Sequence, residues 1–157
     1  MLAENTVLTG RRAITRSYAK INLTLDVLSK RENGYHDIKM IMQTVSLFDL
    51  ILVDKTHRGI SISTNLPYLP CNEKNIAYKA ADAFFKATGI RGGAKIVIHK
   101  NIPVAAGLAG GSGNCAAVLT AINMLHGNPL SNDELMHIGA SLGADVPYCF
   151  DGSTQLA

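Results

Sequence analysis

The chain has 157 residues, 47% of them apolar and 17% charged, with a formal net charge of +3. That is length enough for one domain with its own core, and a charge too mild to call for a nucleic-acid partner. The densest basic pair, Lys30-Arg31, is broken at once by Glu32. There is no run of the roughly 18 apolar residues that a membrane span needs. Residues 1–15 carry Glu4, Arg11 and Arg12 and lack the compact apolar segment of a signal peptide. Three cysteines, Cys71, Cys115 and Cys149, form neither a metal nor a disulfide pattern and fit a reducing cytoplasm. The histidines after His36 show no ligand spacing, so no metal site is assigned.

Residues 1–16 are mixed in character and read as a tail or a loosely attached strand. Ser17–Leu28 alternates: Ala19, Ile21, Leu23, Leu25 and Val27 share one face of a half-buried strand, and Tyr18, Lys20, Asn22, Thr24 and Asp26 share the open one. On this pattern alone Lys20 is an exposed strand lysine. A charged loop closes with Asn33-Gly34, a strong turn signal, and Tyr35 and His36 stand at the mouth of the next strand. A tyrosine ring can stack and an imidazole can hydrogen-bond a base edge; turn-flanking polar residues are the plain alternative. Asp37–Val53 reads as two strands interrupted around Ser46–Asp49, with Met40, Met42 and Phe48 in the core. Ile60–Ser63 is a weak strand, and Leu66–Asn72, with Pro67 and Pro70, is a loop. Glu73–Thr88 is a helix with a stripe of Ile76, Ala80, Phe84 and Ala87, a cap at Asn75 and a stop at Gly89. Ala94–His99 is a strand.

Four of the 14 glycines, Gly107, Gly110, Gly111 and Gly113, fall in Ile102–Ala117, between that strand and an apolar helix with Val118, Ile122 and Leu125 on one stripe. Ser112 stands where a helix N-cap is wanted. Bare backbone and a helix start with free N–H groups suit a phosphate; a flexible connector is the alternative. No lysine follows the glycines, which excludes a Walker loop. Gly111-Ser-Gly113-Asn-Cys-Ala116 matches a dinucleotide fingerprint, but it is too far from the strand end and has no acid ending a following strand. Ser131–Glu134 is a capping box, and the helix it opens carries Leu135, Ile138 and Leu142 and ends at Gly143. Asp145 then precedes Pro147, a position that usually serves turn chemistry. Tyr148–Phe150, an Asp151-Gly152 turn and a strand start at Ser153–Ala157 complete the chain. Strands early and helices late predict an α+β fold, with no internal repeat and no second-domain boundary.

The stretch Pro103–Ser112, P-V-A-A-G-L-A-G-G-S, resembles the second motif of the GHMP small-molecule kinases. Ala19-Lys-Ile-Asn-Leu23, Gly34-Tyr-His36 and Leu142-Gly-Ala-Asp-Val-Pro147 resemble other motifs of that family, in the same order. The resemblance implies a ribosomal protein S5 domain 2-like fold over residues 17–157, with a second, C-terminal domain expected beyond them. It implies a cytoplasmic enzyme using ATP and Mg²⁺. The backbone of Pro103, Val104, Ala105, Ala106, Gly107, Leu108, Ala109, Gly110, Gly111, Ser112 and Gly113 would hold the phosphates, and the Ser112 hydroxyl is the one candidate magnesium ligand. Asn75 and Lys100 would meet the adenine end. Asp145 would be the catalytic base, oriented and kept ionised by Lys20, with Asn22 beside the acceptor hydroxyl. Tyr35 and His36 would contact the cytosine of a cytidine diphosphate sugar alcohol, phosphorylated on its 2-hydroxyl on the way to isoprenoid precursors. The sequence departs from the family at Tyr18, where proline is common, at Gly113, where serine or alanine is usual, and at Cys115, where alanine is usual. Two other readings stand beside this one: a related kinase acting on a different small alcohol, and a non-catalytic nucleotide- or partner-binding module.

Overall fold

The computed structural model describes residues 2–30 and 36–156. In chain order the elements are β1 (Thr6–Thr9), β2 (Arg12–Lys30), β3 (His36–Thr56), β4 (Gly59–Thr64), α1 (Ile76–Thr88), β5 (Gly93–His99), α2 (Gly110–Leu125), α3 (Asn132–Leu142), α4 (Val146–Asp151) and β6 (Thr154–Leu156). The strands form one sheet in the order β1-β2-β3-β5-β4, with β6 added alongside β3. All pairings are antiparallel except that of β4 with β5. Ile51 lies opposite Ile98 and Val53 opposite Ile96. These side chains share the face on which Ala77, Ala80 and Phe84 of α1 and Val118, Leu119 and Ile122 of α2 pack. The α+β class expected from the sequence is the one observed.

Helix α2 is the centre of the helical layer. Every residue from Gly113 to Asn123 is buried, so it has no solvated face and no use for an amphipathic stripe. Its Ala116, Ala117 and Ala121 are small enough to let neighbours approach on all sides. Helix α1 is capped as its sequence predicts: the Asn75 side chain accepts from the Ala77 amide, and Gly89 ends it at φ 66°. The Ser131–Glu134 capping box opens α3 with both reciprocal bonds present.

Four expectations need correction. The segment expected over 1–16 to be a tail or a loosely attached strand is tied in from residue 2 onward: β1 pairs with β2, Arg12 already belongs to β2, and Leu2 is buried in the core with its amide bonded to the Phe150 carbonyl. β3 is one strand, with a bulge where the interruption was expected. Tyr18 pairs with Phe48 but Lys20 with Thr44, so three residues of β3 face the single Ala19. That bulge changes which side of β2 is covered. Before it, Ala13, Thr15, Ser17 and Ala19 alternate inward. At it, Lys20 also turns in and is only 4% exposed, while Ile21, Leu23, Leu25 and Val27 are exposed. Beyond Lys20 the β2–β3 hairpin projects past the helices, so its apolar alternation finds nothing to pack against. Lastly, Asp151, expected to form a turn with Gly152, is the last residue of a short helix, Val146–Asp151, with Pro147 in its first turn and Gly152 as its C-cap.

Candidate active site

The segment from Lys100 to Ala109 leaves β5, crosses over β2 and delivers the chain to α2. It is held to β2 by the Lys20 amide, which donates to the Leu108 carbonyl at 3.1 Å. The left-handed residues are Ala105 (φ 58°), Gly107 (φ 72°) and Ala109 (φ 55°). So two of the three left-handed positions are held by alanine rather than glycine, a conformation that costs a side-chain-bearing residue about 1–2 kcal/mol. Gly110, Gly111 and Gly113 are instead inside α2. The cap is Ala109, not Ser112, and no side chain bonds the helix start; the Gly113 amide donates to the Ala109 carbonyl at 2.8 Å. A helix start without a side-chain cap leaves amides and the positive end of the dipole for an anion.

The helical glycines answer to packing. A Cβ on Gly110 would lie 2.9 Å from Lys100 Nζ and 3.0 Å from Ile102 Cγ2. One on Gly113 would run into Ser17 Oγ on β2. One on Gly111 would meet only Ile76 Cγ2, at an ordinary 3.7 Å. The departure at Gly113 therefore has a local reason: β2 approaches α2 too closely for alanine while Ser17 stands opposite.

A cleft of about 490 Å³ opens against this segment, lined by residues 103–112 together with Leu69, Pro70, Asn75, Lys100, Asn114 and Asp145. That volume lies in the range of small-molecule sites. Gly113 does not line it. Asn75 borders it with its side chain already engaged, accepting from Ala77 and donating to the Pro70 carbonyl at 2.9 Å. Lys100 borders it too, but its ammonium is bonded to Asp49. The sequence reading missed Asp49 and Asn114. A lone aspartate in an apolar run, Leu47-Phe-Asp-Leu-Ile51, was the available signal for Asp49: a charge inside a strand that is otherwise core needs a buried partner.

At one end of the cleft, residues from distant parts of the chain meet. Lys20 Nζ stands 3.7 Å from Asp145 Oδ2 and donates to Asn22 Oδ1 at 2.8 Å. Asp145 occupies the N-cap position of α4, yet its carboxylate caps nothing, and its side chain is 40% exposed. It is thus an acid released from turn duty, beside a buried lysine. Cys149 donates from Sγ to the Asp145 carbonyl at 3.2 Å. Burial, with Asp145's charge adding to it, pushes the Cys149 thiol up to about 12, so it stays protonated and is no nucleophile. Tyr35 lies outside the described residues. Of His36 only the backbone is described, paired with Lys30 at the far end of the hairpin. Among the described residues no three of His, Cys, Asp and Glu are grouped to hold a metal. No helix among them is long and apolar enough to cross a membrane.

An uncapped helix start rich in glycine and a pair formed by a strand lysine and the aspartate before α4, meeting at one cleft on this fold, define a class of small-molecule kinase domain. Residues 75–153 match the GHMP kinases N terminal domain, and the chain belongs to that family, with its ribosomal protein S5 domain 2-like fold. Among characterised relatives it is similar to the 4-diphosphocytidyl-2-C-methyl-D-erythritol kinase of Clostridium botulinum (strain Alaska E43 / Type E3), with 51% identity over 141 residues, 90% of this chain and 50% of that protein. The enzyme of that name from Clostridium perfringens is 53% identical over 142 residues, 90% of this chain and 49% of that protein. A crystal structure of a 4-(cytidine 5'-diphospho)-2C-methyl-D-erythritol kinase superposes with a TM-score of 0.81 at 35% identity, over 92% of this chain and 51% of that one. The Methanococcus jannaschii mevalonate kinase superposes at 0.71 with 16% identity, over 96% of this chain and 54% of that one, a likeness of fold alone. The chain spans about half the length of the relatives it matches.

Proposed function

We propose that this chain forms the ATP-binding part of a cytoplasmic kinase that transfers the γ-phosphoryl group of ATP to the 2-hydroxyl of 4-diphosphocytidyl-2-C-methyl-D-erythritol. The observation that carries the reading is the meeting of Lys20, Asn22 and Asp145 beside the uncapped start of α2. Phosphoryl transfer asks mainly for positioning and charge stabilisation. The amides at the start of α2 and along residues 104–112, after Pro103, bind the triphosphate, and Asn75 and Lys100 border its adenine end. Asp145 takes the proton from the 2-hydroxyl as the hydroxyl oxygen attacks the γ-phosphorus; the bond to the bridging oxygen breaks and ADP leaves. Lys20 keeps Asp145 ionised and turned toward the hydroxyl, and its positive charge offsets charge on the transferring group. Tyr35 and His36 select the cytidine end. Mg²⁺ bound with the nucleotide would supply positive charge to offset that of the phosphates. The Ser112 hydroxyl and the Asp145 carboxylate, both on the cleft, are oxygen groups of the kind it accepts.

The test is ADP release with ATP and Mg²⁺, comparing the cytidine diphosphate sugar alcohol with mevalonate and homoserine, for the parent and for Asp145→Asn. Release that depends on the cytidine compound, and a fall of about 10²–10⁴-fold in the variant with nucleotide affinity retained, is the expected result. Preference for another alcohol would point to a related kinase. Nucleotide binding without transfer to any alcohol would leave the non-catalytic module.

A further inference from the structure

Asp49 sits in the middle of β3, fully buried, and does not line the cleft. An ionised carboxylate in such a place must be met by donors, and among the described residues those donors come from the two ends of the crossover that runs from β5 into α2. At the entry, Lys100 Nζ donates to Oδ2, and the amides of Asn101 and Ile102 donate to Oδ1 at 2.7 and 2.8 Å. At the exit, two acceptors, Asp49 Oδ2 and the Gly110 carbonyl, face the Asn114 side-chain amide; with its nitrogen turned toward them, the orientation that leaves no two acceptors opposed, it donates to them at 2.9 and 3.0 Å. Lys100 is gripped a second time through its backbone, which exchanges two bonds with the Asn65 side chain at 2.7 and 3.1 Å. Between these ends lie the three left-handed residues, Ala105, Gly107 and Ala109.

We infer that Asp49 is a positioning residue for the nucleotide's phosphates: it clamps both ends of the crossover so that the α2 amides stand at a fixed spacing, and it holds the Lys100 charge as part of the clamp. This rests on the reading of the cleft as a nucleotide site. Charge-assisted bonds from two separate segments to one carboxylate fix geometry more tightly than neutral ones, and a small misplacement of binding groups costs much of their effect. Asp49→Asn keeps one oxygen for the Asn101 and Ile102 amides but sets an amide nitrogen against Lys100. The double variant Asp49→Leu with Lys100→Met removes the buried charges together, the change a fold tolerates better, and takes away the acceptor as well.

The experiment measures the affinities of adenosine and of a non-hydrolysable ATP analogue with Mg²⁺ for the parent and both variants, with circular dichroism to confirm folding. The ratio of the two affinities isolates the phosphates' share. The expected result is a loss of about tenfold in that ratio in both variants, the worth of one charge-assisted bond, with adenosine affinity within about twofold of the parent for Asp49→Asn, which leaves Lys100 in place. A clamp that served only to neutralise Lys100 would leave the ratio intact in the double variant, and that result overturns the inference. So does a rise in the ratio for Asp49→Asn, which would mean that the freed Lys100 binds phosphate. Amide hydrogen exchange on the unmodified chain gives a readout that no variant has to fold for. Asn101 and Ile102 should exchange with the core, and exchange as fast as residues 103–109 rejects the clamp. A parent that binds the analogue no better than adenosine overturns the nucleotide reading itself, and this inference with it.

Discussion

Gly113 and Ser17 are matched in size across the contact of α2 with β2. Alanine at a helical position is ordinarily preferred to glycine by up to about 1 kcal/mol, but the added methyl would collide with Ser17 Oγ, and overpacking costs about 1–3 kcal/mol. Gly113→Ala is therefore expected to destabilise the parent by about 1 kcal/mol and to stabilise a Ser17→Ala background by a similar amount. Urea denaturation of the four proteins measures the coupling; the same sign in both backgrounds would mean that the contact is not what keeps glycine there. His126 offers a second test at this scale. Its ring packs against Phe84 and Phe85, and burial, aided by the charge of Lys55, lowers its pKa from 6.5. The unfolded chain then binds the proton more readily than the folded one. This contribution is fully present above the unfolded value and is lost as pH falls through the lowered one. Stability should fall between about pH 7.5 and pH 5.5, and His126→Phe should flatten that stretch of the profile.

Among the elements, the N-terminal strand and the projecting hairpin exchange the roles their sequences suggest. Leu2, in a segment of mixed character, is 5% exposed, whereas Leu25, in a clean alternation, is 51% exposed. Leu2→Ala should cost about 2 kcal/mol, the low end for a buried leucine because the site lies near a terminus and can relax. Leu25→Ala should stay within about 0.5 kcal/mol. Thermal denaturation of the two variants decides it, and equal losses would mean that the hairpin face is covered in solution. The bulge at Tyr18–Lys20 matters more for function. It buries the lysine and brings it to Asp145, and β2 goes on pairing with β3 on both sides of it, with further register shifts at Asn22–Thr24 and Val27–Ser29.

For the whole molecule, the cleft draws its lining from the α1 approach, the end of β5, the crossover, α2 and the turn before α4. A ligand there bridges most of the domain, so its binding free energy stabilises the fold globally. An ATP analogue at about a hundred times its dissociation constant should add about 2.7 kcal/mol to unfolding. The check is a melting curve with the ATP analogue against one with the matching CTP analogue. Equal shifts would show that the cleft does not select adenine.

Much of this fold is written locally. Asn75 and Gly89 bound α1, Ser131 and Glu134 open α3, and the glycines of residues 107–113 mark the crossover, because caps and turns depend on a few adjacent residues and their backbone angles. The family, too, was legible in four short motifs. Orientation across the sheet was not. Alternation says that Lys20 and Ile21 point to opposite sides, but which side is covered depends on where α2 and α4 come to lie, and one unpaired residue at Ala19 alters the answer. Asp49 reads as an interruption until Lys100, Asn101, Ile102 and Asn114, far along the chain, arrive to satisfy it. Local backbone preference chose the elements. Long-range burial of charge and close packing of small residues, which no window of sequence contains, decided which side chains share the site.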